Sequence, residues 1–375
     1  MLVRFVRPFR QRRIVRNVEQ NLEFRLAVEC CEGSFASSFS SSPELSAIDW
    51  AKFLRLASFH RIEGLAAARL ANYEAKIPAE VRSELFDAAS RIAAQNLRAA
   101  AGCAQLLDAF SAAEVPLLFL KGLAVGALAY RTPMLKMAVD IDLLIDPADL
   151  QRSAALLRHC GYQLVAPRAV PTDQGLLKWH RGWKESLWIN PASQLQLDLH
   201  TRASDNPRLI PGISVHSARQ VVDIGDSVSL PTFAPDEQFA YLAVHGSSAA
   251  WFRLKWISDL AGFLNGRSSA DIDRLYRRSQ ELGAARAAGQ ALLLADEIFG
   301  TLKSSKNLRS ELLNDRNTRQ LWLAASKLLT GPPTEPTDRA LGTFPIRRMQ
   351  FSLDRGLRFK LSELSGQAHR IFNRP

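Results

Sequence analysis

Two acids inside an otherwise aliphatic run constrain this chain more than any other feature. In Val139-Asp140-Ile141-Asp142-Leu143-Leu144-Ile145 the residues alternate as a strand requires. Asp140 and Asp142 then share one face, while Val139, Ile141 and Leu143 line the other. Two ionised carboxylates on one face of an apolar strand repel each other and are costly to bury unless a cation compensates them. Carboxylate oxygens suit a hard divalent ion, Mg²⁺ or Mn²⁺. Upstream, Val115-Pro116-Leu117-Leu118-Phe119-Leu120 reads as a buried strand that stops at Lys121-Gly122, and Leu123–Tyr130 reads as a small-residue helix. A third acid, Asp198, sits among alternating leucines in Leu195-Gln196-Leu197-Asp198-Leu199-His200.

A strand ending in Lys-Gly, a strand bearing Asp-x-Asp and a later strand bearing one Asp resemble the nucleotidyltransferase superfamily that includes DNA polymerase β and the aminoglycoside nucleotidyltransferases. Within it the chain is most similar to a group of bacterial nucleotidyltransferase-like proteins of undefined substrate. The marks here are Leu120-Lys121-Gly122, Asp140-Ile141-Asp142-Leu143-Leu144-Ile145, Gly161-Tyr162, Asp198-Leu199-His200 and the helical stretch from Trp251 to Leu260. The resemblance covers roughly residues 46 to 330. It implies an α+β fold, a small mixed β-sheet nucleotidyltransferase core flanked by N-terminal and C-terminal helical regions.

It also implies a reaction. A nucleoside monophosphate passes from a nucleoside triphosphate to a hydroxyl or similar group of a small-molecule, peptide or protein acceptor, with release of pyrophosphate. Asp140, Asp142 and Asp198 are the implied catalytic residues and ligands of Mg²⁺ or Mn²⁺. Lys121, Gly122 and Lys136 are the implied nucleotide contacts, and His180 and Lys184 are expected beside the acids at the sheet edge. Two departures bear on this: Leu123 follows Gly122 where the wider superfamily has Ser or Gly, and Lys136 stands where the closer group has arginine. Lysine keeps the charge but not the bidentate fork. The alternatives are a catalytically silent nucleotidyltransferase fold that binds a nucleotide or partner, and a helical interaction or nucleic-acid-associated protein whose aspartates are structural. The acceptor, the base and the oligomeric state are not legible.

The net charge of +11 does not describe a basic domain face. Residues 1–16 carry six arginines and no acid, and residues 345–375 carry seven Lys/Arg against two acids, so the body between is formally neutral. Such tails suit RNA, an anionic membrane surface or an acidic partner, or serve only as solvated ends. Four cysteines (Cys30, Cys31, Cys103, Cys160) show no metal-ligand or disulfide spacing. No apolar run approaches the roughly 18 residues that span a membrane, and arginines interrupt every apolar run near the N-terminus. A cytoplasmic protein without a transmembrane segment is expected.

In chain order, residues 1–45 read as a basic arm, a short helix and the serine-rich linker Ser34–Pro43; 46–113 as a helical region; 114–210 as the catalytic core; 211–330 as a second helical region; and 331–375 as a Pro-rich break and basic tail. Pro78–Ala113 is expected as one helix, 166–178 as a loop, everything beyond Pro211 as helical, Asn307–Leu329 as a single helix, and Ile346–Leu364 as at most one amphipathic helix. His60 reads as a packing or capping residue at a helix junction. His200 shares a face with Asp198 and is expected to orient it or to end the strand. His245 and Lys255 are placed on helices that close over the sheet.

Overall fold

A long amphipathic helix organises the first half of the molecule. The computed structural model describes residues 21–32, 45–168, 172–225 and 228–372; the arginine arm and the Ser34–Pro43 linker lie outside the described residues. Helices α1 (Leu22–Glu32), α2 (Trp50–His60) and α3 (Glu63–Leu70) lead into α4 (Ala79–Ala112). Asp49 caps α2, its carboxylate accepting from the Lys52 amide at 2.9 Å. Over its 34 residues, α4 buries Leu85, Ile92, Asn96, Ala99, Cys103, Leu106 and Phe110, a stripe at helical spacing whose later part, from Ala99 to Phe110, packs on the sheet while Leu85 packs with the N-terminal helices. Gly102 permits the close approach: a Cβ there would stand 2.6 Å from Leu195 Cδ1.

The sheet follows as β1 (Leu117–Phe119), α5 (Leu123–Tyr130), β2 (Asp140–Ile145), α6 (Leu150–His159), β3 (Gln163–Ala166), α7 (Asp173–Gly182), β4 (Glu185–Asn190) and β5 (Leu195–His200). Its strand order is β1-β2-β5-β4-β3. The central β2–β5 pair is parallel, and the other pairs are antiparallel. Ile141, Leu143 and Ile145 of β2 and Leu195, Leu197 and Leu199 of β5 form one core with Leu106 and Phe110 of α4 and Leu157 of α6. Alternation turns the acids to the opposite face, as the sequence pattern requires. The α+β class is therefore as expected.

Several elements differ from expectation. Residues 173–182 form helix α7, whose stretch to Lys178 falls where a loop is expected, because Thr172 caps it through the Gly175 amide (3.2 Å). Beyond Pro211 a hairpin precedes the helices: β6 (Arg219–Asp223) pairs with β7 (Ser229–Phe233). Val221, Val222 and the alternation in Ser229–Phe233 favour extended backbone there. Then come α8 (Pro235–Ser248), α9 (Leu254–Leu264), α10 (Ser269–Glu281) and α11 (Ala285–Phe299). The segment expected as one helix to Leu329 is two, α12 (Lys306–Asn314) and α13 (Arg316–Leu329). Asp315 between them has extended backbone and caps α13 through the Thr318 amide at 3.0 Å. The C-terminal segment is likewise two helices, α14 (Phe344–Gln350) and α15 (Leu357–Phe372), interrupted where Asp354 accepts from the Gly356 amide. It is also docked: Phe359 is buried and Asn206 donates to Glu363 at 2.9 Å.

His60 is a packing residue. Fully buried at the end of α2, it lies edge-on to Phe24, and its Nδ1 accepts from the Leu254 amide at 3.1 Å. Burial, helped by the Arg253 charge, pushes the imidazole down from its ordinary 6.5 to about 3. In the unfolded chain His60 takes up a proton near its ordinary value, but the native side chain does so only near 3. The stability it contributes is therefore complete above 6.5 and is lost as pH falls toward 3. We expect His60→Asn to be less stable than the wild type at pH 7 but to lose less on acidification. Urea midpoints between pH 7 and 4 check this; parallel pH slopes for the two proteins would refute it.

Candidate functional site

The site is built on the β2–β5 register. Asp142 lies directly opposite Asp198 across the parallel pair, and Leu144 lies opposite His200. On the other side of β5, Glu185 of β4 pairs with His200, so it reaches the same face. Four carboxylates (Asp140, Asp142, Glu185 and Asp198) thus crowd one surface of the sheet. Two lysines and a histidine hold them apart.

Lys121 Nζ lies 2.7 Å from Asp142 Oδ1, and His200 Nε2 bonds the same oxygen at 3.0 Å. His200 thereby orients Asp142, and not Asp198 as the shared face suggested; its Nδ1 stands 3.3 Å from Glu185 Oε2. Lys184 pairs with Glu185. Burial pushes the Asp142 carboxyl up, but the Lys121 charge and the His200 hydrogen bond outweigh it and hold the group far below the usual carboxylate range. Glu185 is likewise raised by burial and pulled down more strongly by Lys184 and His200, to about 2. Asp198 has burial and its neighbours Glu185, Asp142 and Asp140 all acting the same way, and is pushed up to about 8. The pattern is a carboxylate face short of positive charge.

Asp142, Asp198 and His200 each offer one ligand atom, all within 4.8 Å of one another. Asp140 sits one step up β2 at the rim, half-buried. The acids border a cleft of about 170 Å³, whose charged lining comprises Arg61, Lys121, Lys136, Lys255, Asp140 and Asp142, with Asp259 behind Lys136. Gly122 opens α5 at φ 58 and ψ −123, a conformation that strains any side chain, and it turns the start of the helix into this cleft. Lys136 is nearly buried and pairs with Asp259 at 3.5 Å. Asp259 in turn accepts from the Tyr130 hydroxyl at 3.0 Å. His245 and Trp256 close the far wall, with ring centres 5.9 Å apart. Burial, then Lys121, pushes the His245 imidazole well down, so the ring is neutral.

The structure gathers Lys121, Gly122, Lys136, Asp140 and Asp142 around one space, and Asp198 lies beside Asp142 on the same sheet face without lining that space. His180 is not brought there. On α7 it turns inward, with Nδ1 at 3.0 Å from the Thr201 hydroxyl and Nε2 at 3.0 Å from the Ser186 hydroxyl, so both ring nitrogens are occupied in bracing α7 against the sheet. Lys184 meets the acid face through Glu185 and does not line the cleft.

Three contributors escaped the sequence reading. Arg61 ends α2 in a left-handed conformation (φ 56) and reaches the cleft from the N-terminal helices; nothing local marks it. Glu185 becomes visible only once β4 is paired in register. Asn96 left a readable signal, a lone amide in the apolar stripe of α4. Its side chain donates to the Pro133 and Lys136 carbonyls, both at 2.7 Å, and accepts from the Ala138 amide at 3.2 Å. It therefore fixes the segment that delivers Lys136 and Asp140.

A mixed sheet with facing aspartates on adjacent parallel strands, beside a Lys-Gly helix start, defines a protein of the nucleotidyltransferase class. Residues 46–300 match the family described as "Uncharacterised nucleotidyltransferase", and the chain belongs to it. No curated protein matches the chain. Among the described residues no helix is long and apolar enough to cross a membrane.

Replacing Asn96 by Ala leaves three buried backbone groups without their partner. We expect a loss of about 2–4 kcal/mol, since each unsatisfied buried group costs on the order of 1–3 kcal/mol and the loop can relax in part. Denaturant unfolding of the variant checks this; an unchanged midpoint would show that the amide is dispensable.

Proposed function

We propose that the protein is a metal-dependent nucleotidyltransferase. It would move a nucleoside monophosphate from a nucleoside triphosphate to a hydroxyl or similar group of an acceptor, releasing pyrophosphate. The observation that carries this reading is the pairing of Asp142 with Asp198 across two parallel strands, with Asp142 bordering a cleft to which Arg61, Lys121, Lys136 and Lys255 contribute.

The residues fit a divalent ion. Asp142 Oδ2 is buried with no hydrogen-bond partner, and Asp198 faces it with Glu185, Asp142 and Asp140 outweighing Lys121 around it. Asp142 and Asp198, with Asp140 at the rim, would hold Mg²⁺ or Mn²⁺ through hard oxygen donors. Such an ion, when bound, supplies positive charge to the phosphates and acidifies an attacking hydroxyl. The chain's own groups do the rest. Gly122 lets the backbone at the start of α5 approach phosphate oxygens closely, and Lys121 stands beside it. Lys136 is partly neutralised by Asp259, whereas Arg61 and Lys255 have no ion-paired carboxylate among the described residues and are available to an anionic ligand. Burial, followed by the Lys136 charge, depresses Lys255 to about 7, a state that an arriving phosphate would reverse. Asp198, its carboxyl drawn back down by a bound cation, would be the carboxylate to accept the hydroxyl proton. The four cysteines are buried thiols, which suits the reducing cytoplasm where nucleoside triphosphates are plentiful.

A second reading is favoured by Lys121. Its amine already compensates Asp142 without a metal, and Leu123 supplies no hydroxyl to a phosphate. A silent fold that binds nucleotide through cations alone would look the same at this place.

Titration calorimetry with each of the four ribonucleoside triphosphates, with and without Mg²⁺, separates the two. Wild type is expected to bind at least one nucleotide about tenfold or more tightly with Mg²⁺, and Asp198→Asn to lose that gain while folding normally. The variant should fold because Asn keeps the shape of a carboxyl that its surroundings already hold largely protonated near neutral pH. Metal-independent binding that Asp198→Asn does not change would sink the enzymatic reading in favour of the silent one.

A further inference from the structure

The last helix presents an unusual outer face. On α15, Leu357, Leu361 and Leu364 are 71%, 57% and 58% exposed. Their spacing of four and three residues places them on one stripe. The opposite side holds the helix to the body: Phe359, Glu363 and Gln367 are buried, with Glu363 accepting from Asn206 at 2.9 Å and from Gln367 at 2.9 Å. The leucines are therefore not the anchoring face of a loosely placed helix. They are what remains outside after the helix has docked.

Charge says what meets them. At roughly 100° per residue, Arg358 lies to one side of the leucine stripe and Lys360 to the other, and both are exposed. Residues 345–375 contain only two acids, Asp354 and Glu363. Glu363 points inward, and Asp354 is engaged with the Gly356 amide at 2.6 Å. The outer face thus combines apolar side chains with flanking cations that have no ion-paired acid among the described residues. A two-fold seam between copies of this chain would bring those like charges together. At a bilayer, by contrast, the leucines enter the headgroup boundary while the Arg and Lys stems extend along it to the phosphates.

We propose that α15 docks the protein peripherally on an anionic membrane surface, with Leu357, Leu361 and Leu364 as the inserted stripe and Arg358 and Lys360 as the lipid-phosphate contacts. The inference is independent of the catalytic reading, since it uses none of the cleft residues.

Flotation of the full chain with vesicles of phosphatidylcholine alone, or of phosphatidylcholine with phosphatidylglycerol, tests it. Binding is expected to the anionic vesicles and to weaken as salt is raised. Arg358→Gln/Lys360→Gln should reduce partitioning roughly thirtyfold, as loss of two cations at a charged surface implies. Leu361→Ser/Leu364→Ser should reduce it about tenfold or more, through lost apolar insertion. All four positions are exposed, so both variants should keep the wild-type melting temperature. Three results would overturn the proposal. One is no flotation with either vesicle. Another is binding that neither variant changes, which would place the contact elsewhere, as in the arginines of residues 1–16. The third is a dimer by light scattering that Leu361→Ser/Leu364→Ser converts to monomer, which would assign the stripe to a second copy.

Discussion

The pairing of Lys121 with Asp142 is the interaction on which the site depends. Asp142 is almost wholly buried, and beside it stand three more carboxylates. Without a compensating charge such a face would not persist, because breaking a buried ion pair by removing one partner costs about 3–5 kcal/mol. Lys121 follows β1, one position before the Gly122 turn, so the turn that opens α5 also sets the ammonium over the acid of the neighbouring strand. His200 adds a second hold on the same oxygen from β5. One oxygen of Asp142 is thus used twice by the protein, and the other, Oδ2, is left unpartnered. The same device that stabilises the sheet leaves a ligand atom available.

Around this centre the molecule supplies cations from four separate parts of the chain. Lys121 comes from the turn after β1, Lys136 from the segment that Asn96 secures, and Arg61 and Lys255 from helical regions on either side of the core in sequence. Lys136 is braced through Asp259 to Tyr130. This linkage couples α9 to α5 and makes the helical regions part of the cleft. A nucleotide entering here would be met by helices that the isolated sheet lacks.

How much of this was readable before the fold was known depended on the range of the interactions. Alternation in β2 and β5 displayed Asp140, Asp142 and Asp198 on one face, because a strand's period is a local property. The long α4 was legible for the same reason. The hairpin of β6 and β7 was missed because its strands are short and partly polar, and Pro231 argued against a strand. The division of the segment at Asp315 was missed because the apolar period continues across it; only the capping bond to Thr318 marks the break. His180 was drawn toward the acids by its proximity in sequence to Lys184 and Glu185, yet the capping of α7 by Thr172 turned it inward. Arg61 and His200 illustrate the remaining limit. Which carboxylate a histidine orients, and which distant arginine reaches a cleft, are decided by tertiary packing that no local pattern encodes.

Manganese electron paramagnetic resonance tests the central claim most directly, because it reads the carboxylate site whether or not the acceptor is known. The wild-type protein with a bound nucleoside triphosphate is expected to immobilise Mn²⁺, broadening its six-line signal beyond that of the nucleotide–metal complex alone. Asp198→Asn should restore the spectrum of that free complex while the fold stays intact. A wild-type spectrum indistinguishable from the free complex, measured where nucleotide binding is saturated, would contradict the account: Asp142 and Asp198 would then be a lysine-compensated structural pair and not a metal site.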